Sequence, residues 1–201
     1  MIRNVECKFY YITSSLDQVK IKNIKKFRDI GVIYKQENNK SVDIFDCYIL
    51  KNICKKNQIP FFVCDDFKLA NKLDANGVFL TSLYKKPVNN FILRKNFKIL
   101  GAVHSQLEYF LKARQQCDTI VFSPLFYNKK YSLNKILGVI KFNLITLNWR
   151  KKISAMGGIK NENIKKIQIT NCDSISFIKL LEDFKIKKPF YFLSKRAFKC
   201  I

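Results

Sequence analysis

Short runs rich in Ile, Val, Phe and Tyr alternate along the chain with longer stretches whose apolar residues recur at helical spacing. The two periods are those of strands and helices. Cys7–Thr13 predicts a strand, and Ser15-Leu16-Asp17-Gln18 has the capping-box form that opens a helix to about Arg28. Gly31–Lys35 predicts the next strand and Val42–Lys56 the next helix. Ile59–Cys64 predicts a third strand, with Pro60 at its entry, where a missing N–H is tolerated. Phe67–Leu73 follows as a short helix and Asn76–Leu80 as a strand. Thr81–Asn96 is the poorest stretch in pattern and holds at most a short helix.

The alternation then resumes. Phe97–Val103 is a strand, and Ser105-Gln106-Leu107-Glu108 is a second capping-box pattern, opening a helix to about Gln116. Asp118–Ser123 is a strand, Leu133–Leu147 contains a helix, and Ile153–Met156 is a strand. Asn161–Ile169 predicts a helix, Asp173–Ile178 the last strand, and a final helix starts near Lys179. Eight strand–helix units predict a parallel sheet, and right-handed crossovers close eight such units into one (βα)8 TIM barrel, an α/β fold. No linker rich in Gly, Pro or Ser divides the 201 residues, so a single domain is expected, with a core at about 7–185 and a basic, aromatic tail at 187–201.

Composition narrows the partners. The chain carries +23 net charge, from 32 Lys and 6 Arg against 15 acidic residues. Such a charge suits a nucleic-acid surface. Arg, the better base reader and phosphate fork, is scarce, and the lysines are spread along the chain. The Lys excess also travels with Asn, Ile, Phe and Tyr, the residues of A/T-rich codons. The charge therefore reads as a solvated basic surface that attracts small phosphorylated substrates, with nucleic acid a weaker alternative. No apolar run reaches the roughly 20 residues of a membrane span, and Met1–Cys7 lacks the apolar stretch of a secretory signal. The seven cysteines form no C-x-x-C pair and His104 is the sole histidine, which suits reduced thiols in the cytoplasm and gives no zinc site.

In a barrel of this kind the working end lies at the strand C-termini. The third strand ends in Asp65-Asp66. Two carboxylates at a strand end suit Mg²⁺, which takes oxygen ligands and bridges to phosphates. Asp66 is also placed to cap the following helix, which leaves Asp65 as the metal candidate. The fifth strand ends at His104, a candidate for proton work or substrate contact, next to the helix-capping Ser105. The sixth ends at Ser123, before a loop whose Lys129 and Lys130 are candidates to close over a pyrophosphate or to stand solvated. The seventh ends in Gly157-Gly158, which allow backbone N–H groups to approach an anion or serve as plain turn residues. Ile178 and Lys179 follow the eighth strand and flank the same candidate phosphate site.

These segments, in this order and spacing, resemble the thiamine-phosphate synthase family, which includes the thiazole tautomerases. The pieces that carry the resemblance are Pro60–Asp66 with Ala70, Ala75–Leu80, Ile99-Leu100-Gly101 with His104-Ser105, Phe122–Phe126, Gly138, and Ala155–Ile159 with Asn163. The resemblance implies an enzyme that joins an aminopyrimidine methyl diphosphate to a thiazole phosphate and releases pyrophosphate, with Mg²⁺ and lysines stabilising the leaving group. It implies Asp65 as a metal ligand and Lys129 or Lys130 on the pyrophosphate. It implies Gly157, Gly158, Ser123 and the Ile178-Lys179 turn at phosphate. The family's Gln, Arg and Lys after the second strand correspond to Gln36, Asn38 and Lys40, or to Tyr34, Gln36 and Asn38 one step earlier.

Several positions depart from the family pattern. The Arg of that trio is missing. Cys64 replaces the Asn before the metal Asp, Phe79 replaces a histidine, and the second metal Asp falls near Tyr84, in a stretch Asn76–Pro87 without a carboxylate. Ser174 and Ser176 stand for Gly and Ala, and Pro124 for the tautomerase histidine. Two readings follow: a synthase-like transferase, or a non-catalytic, regulatory barrel that keeps a phosphate pocket.

Overall fold

The computed structural model describes residues 7–14, 24, 27, 29–35, 44–88, 93–129 and 131–178. Eight strands lie where the apolar runs are: β1 (Phe9–Thr13), β2 (Ile30–Tyr34), β3 (Phe61–Cys64), β4 (Gly77–Leu80), β5 (Lys98–Val103), β6 (Thr119–Phe122), β7 (Lys152–Met156) and β8 (Ser174–Phe177). All neighbours pair in parallel, and β1 pairs with β8, so the sheet closes on itself. Parallel strands are covered on both faces, which is why β2, β4, β6 and β8 are buried throughout.

Side chains alternate across the barrel wall. Tyr10, Ile12, Ile33, Phe62, Phe79, Leu100 and Val121 form an inner cluster. Tyr11, Val32, Phe61, Val63, Val78, Leu80 and Phe122 belong to a separate outer cluster, which also takes in helix residues such as Leu50, Ala70 and Phe142. The interior is therefore a packed core, and only the ends of the strands are open to chemistry.

Among the described residues four α-helices cover the wall: α1 (Ile44–Lys56), α2 (Phe67–Lys72), α3 (Gln106–Arg114) and α4 (Gly138–Thr146). α1 buries Cys47, Leu50, Lys51 and Cys54, one stripe at helical spacing. Its Asp46 at the start and Lys55 and Lys56 at the end suit the helix dipole. Asp66 caps α2 as expected, its Oδ1 accepting from the Leu69 N–H at 2.8 Å. Ser105 caps α3 by accepting from the Glu108 N–H at 3.3 Å. The reciprocal bond differs from the capping-box form, because the Glu108 carboxylate accepts from the His104 N–H at 2.6 Å, one residue before the cap.

One expectation changes. Asn161–Ile169 forms a 3-10 segment over Ile164–Ile169 in place of an α-helix. Asn163, which would cap it, turns back instead: its amide donates to the Gly158 carbonyl at 2.7 Å and accepts from the Lys160 N–H at 2.8 Å. The stretch after β4 has no helix among its described residues and is held by side chains from elsewhere. Leu133–Leu147 holds a 3-10 turn at Leu133–Lys135 as well as α4. The helix expected over Ser15–Arg28 lies outside the described residues except for Ile24 and Phe27, and the helix after Lys179 and the 187–201 tail lie wholly outside them. Among the described residues no helix is long and apolar enough to cross a membrane.

Candidate functional site

The closed sheet brings the residues after each strand to one end of the barrel. Asp65 stands just past β3 with φ 52, a left-handed conformation that Asp tolerates better than most residues. Its side chain binds the neighbouring strand end. Oδ1 accepts from the Thr81 N–H at 2.7 Å, and Oδ2 accepts from the Thr81 hydroxyl at 2.6 Å. Asp65 thus joins the tips of β3 and β4. Thr81 lies in the stretch whose pattern is poorest, and the sequence offers no local sign of this role.

The carboxylate also acts on its surroundings. Burial first, then Asp65, pushes the Cys64 thiol up to about 12, with Lys35 opposing. Burial first, then Asp65, also raises the Tyr84 phenol. Among the described residues no three of His, Cys, Asp and Glu gather into a metal cage. A carboxylate has about four lone-pair sites, and Thr81 takes two of Asp65's. The donor set therefore fits an ion held mainly by a phosphorylated ligand, with one bond from the protein, as Mg²⁺ often is.

His104 and Ser123 meet directly. His104 Nδ1 lies 2.9 Å from the Ser123 carbonyl and 3.1 Å from the Ser123 hydroxyl. A carbonyl oxygen only accepts, so Nδ1 carries the hydrogen, and in the neutral ring Nε2 keeps a lone pair for a ligand. Tyr131 packs against the imidazole, with ring centroids 5.7 Å apart. Ser123 is buried while His104 is exposed, so the histidine is the member of the pair open to a substrate.

Gly157 and Gly158 have φ values of 95 and 66. Both are also pressed against the loop after β6. A Cβ on Gly157 would lie 2.9 Å from Pro124 Cα, and one on Gly158 would lie 2.3 Å from the Phe126 carbonyl oxygen. The two loops are stitched together, Leu125 N–H to Met156 O at 2.8 Å and Phe126 N–H to Gly157 O at 3.0 Å. Glycine here has a structural cause of its own, and the same backbone exposes two N–H groups that meet no backbone acceptor among the described residues. Inside the barrel below, Ser154 and Ser176 share a hydrogen bond of 2.7 Å, so the polar residues of β7 and β8 face each other.

Lys129 is exposed on the loop after β6, and Ile178 is 44% exposed after β8. Gln36, Lys40, Lys130 and Lys179 lie outside the described residues. The described candidates therefore form two groups: Asp65 with Thr81 on the β3–β4 side, and His104, Ser123, Gly157 and Gly158 on the β5–β7 side.

Comparison with known proteins gives this mouth a family. The solved thiamine phosphate pyrophosphorylase of Pyrococcus furiosus superposes with a TM-score of 0.70 at 19% identity, covering 88% of this chain and 87% of that one, a likeness of fold. The thiamine-phosphate synthase of Clostridium tetani is 26% identical over 91% of this chain and 93% of its own length. That of Staphylococcus haemolyticus is 30% identical over 64% of this chain, and the match spans 62% of that relative's length. The family profile described as thiamine monophosphate synthase matches residues 31–181, from β2 to beyond β8. The chain belongs to the thiamine monophosphate synthase family.

Proposed function

We propose that the protein is a thiamine-phosphate synthase-like transferase. It couples an aminopyrimidine methyl diphosphate to a thiazole phosphate and releases pyrophosphate. The observation that carries this reading is the family match over residues 31–181 of a closed barrel whose strand ends bear the candidate residues. The chemistry is departure of pyrophosphate from the pyrimidine methylene, followed by capture of the carbon by the thiazole nitrogen. Such a reaction needs positioning and charge stabilisation and no protein nucleophile. The thiol beside Asp65 suits that, since desolvation holds Cys64 protonated, up to about 12.

The roles divide along the two groups. The Gly157 and Gly158 N–H groups, with Ser123, Ile178 and Lys179, would bind the thiazole phosphate. His104 would orient the bound substrates through Nε2. Asp65 would hold Mg²⁺, which when bound neutralises charge on the leaving diphosphate. Gln36, Lys40, Lys129 and Lys130 would complete the grip on the diphosphate. A surface of +23 charge draws phosphorylated small molecules toward the mouth, and the reading makes this a cytoplasmic biosynthetic enzyme.

A second reading has its own support. With both Asp65 oxygens engaged by Thr81 and Phe79 filling the barrel beneath, the β3–β4 side is less polar than a two-carboxylate site. A non-catalytic relative that keeps only the phosphate pocket would have that form. Incubation with both substrates and Mg²⁺ separates the readings. Thiamine phosphate is the expected product. Binding of thiazole phosphate without any product would support the non-catalytic barrel.

A further inference from the structure

Lys112, on α3, is 0% exposed. Its Nζ donates to the Tyr84 carbonyl at 2.8 Å and to Gln115 Oε1 at 3.0 Å. Gln115, itself 3% exposed, donates through Nε2 to the Lys86 carbonyl at 2.7 Å and to the Tyr84 carbonyl at 3.2 Å. The Tyr84 ring lies beneath the ammonium, 5.8 Å from Nζ to the centroid. A side chain of α3 and that of its C-capping residue therefore grip two carbonyls of the loop that follows β4.

The lysine reaches that loop because β5 has a glycine in its path. A Cβ on Gly101 would lie 3.0 Å from Lys112 Cδ and 2.7 Å from Cys117 Sγ. Gly101 is also the register partner of Leu80, the last residue of β4, so the lysine passes over the outer face of β5 at the level where β4 ends. An ammonium in the dry interior is costly, and an apolar side chain of similar volume would fill the space without that cost. What the ammonium adds is directed donors for carbonyls in a stretch with no helix among its described residues. Burial lowers the proton affinity of Lys112, while Cys117, Asp65 and Glu108 oppose that shift.

The gripped loop is the one that Asp65 holds at its other end, through Thr81. We propose that Lys112, with Gln115, is a positioning residue for the diphosphate end of the site: it fixes the β4 loop so that Asp65 and Thr81 keep their geometry. The inference rests on the synthase reading above. The same loop carries Lys85 and Lys86, whose charge is of the kind a diphosphate recognises. The thiazole-phosphate group near β7 shares no described contact with this clamp, so the two substrates should respond differently to its loss.

The test compares the wild type with Lys112→Met, which keeps the volume and removes the donors, and Gln115→Leu, which removes only the amide. In Lys112→Met the amides of residues 83–86 should exchange about tenfold faster, with a smaller change in Gln115→Leu. The KM for the pyrimidine diphosphate should rise about fivefold while that for the thiazole phosphate stays within about twofold. Equal shifts of both constants, or unchanged loop exchange, would overturn the assignment. A wild type without turnover would speak against the synthase reading alone. Calorimetric affinity for inorganic pyrophosphate then decides the clamp: weaker binding in Lys112→Met supports it and equal binding overturns it. Should Lys112→Met fail to fold, Gln115→Leu carries the same readouts.

Discussion

Replacing Asp65 tests whether the β3–β4 junction is built as described. The carboxylate makes two bonds to Thr81, of 2.7 and 2.6 Å, and the residue stands at φ 52. A hydrogen bond to a charged group contributes about 1.5–3 kcal/mol, and partial exposure of Asp65 moves each toward about 1–1.5 kcal/mol. Alanine loses both bonds and also meets the cost of a left-handed backbone, about 1 kcal/mol. Asp65→Ala should therefore lose about 3–4 kcal/mol. For a chain of this size that is a fall of roughly 6–16 °C in Tm. Asparagine tolerates the same backbone and keeps an acceptor for the Thr81 N–H, so Asp65→Asn should lose only about 1 kcal/mol. Scanning calorimetry of the three proteins at one pH measures the series. An Asp65→Ala protein melting within about 2 °C of the wild type would refute the junction.

Other consequences follow from the same structure. Gly158→Ala forces a Cβ toward the Phe126 carbonyl at φ 66, so thiazole-phosphate affinity should fall at least about tenfold with a lowered Tm; unchanged affinity by calorimetry would show that the loop does not hold the phosphate. Burial pushes the thiols of Cys47, Cys54, Cys64 and Cys117 up to about 12 and that of Cys172 to about 11, from an ordinary 9.0. In the unfolded chain these thiols ionise above about pH 9 while the folded ones stay protonated, so stability should be flat below that pH and fall steeply above it, by about 1.4 kcal/mol per pH unit for each thiol. Urea unfolding across that range measures it, and stability that rises with pH there would contradict the burial. Ser105→Ala removes the α3 cap and should cost about 1 kcal/mol in the same assay.

Much of the scaffold was legible because parallel strands buried on both faces must be apolar throughout, and IGVIY, FFVC and TIVF announce themselves. Asp66 and Ser105 were legible as caps because capping is local, decided within three residues. The 3-10 segment at Ile164–Ile169 was not, because Asn163 spends its side chain on the Gly158 loop, a tertiary demand that overrides local preference. Within the site, Gly157-Gly158 could be read as special, but the neighbour that requires glycine is the loop after β6, about 30 residues away in sequence. Asp65 could be read as a polar strand end, but its partner Thr81 could not, since only closure of the barrel sets those tips side by side. Lys112 was hidden most fully. In a chain with 32 lysines one more reads as solvated surface, and what buries it is a glycine on another element.

The proposed activity is coupling of the two substrates with Asp65 as the carboxylate at the diphosphate end. Phosphorus NMR of the protein with aminopyrimidine methyl diphosphate and Mg²⁺, before and after thiazole phosphate is added, tests it directly. Free pyrophosphate should appear only after the second addition, and in step with thiamine phosphate, one for one. Both substrates remaining intact, or pyrophosphate released without thiamine phosphate, would contradict the account.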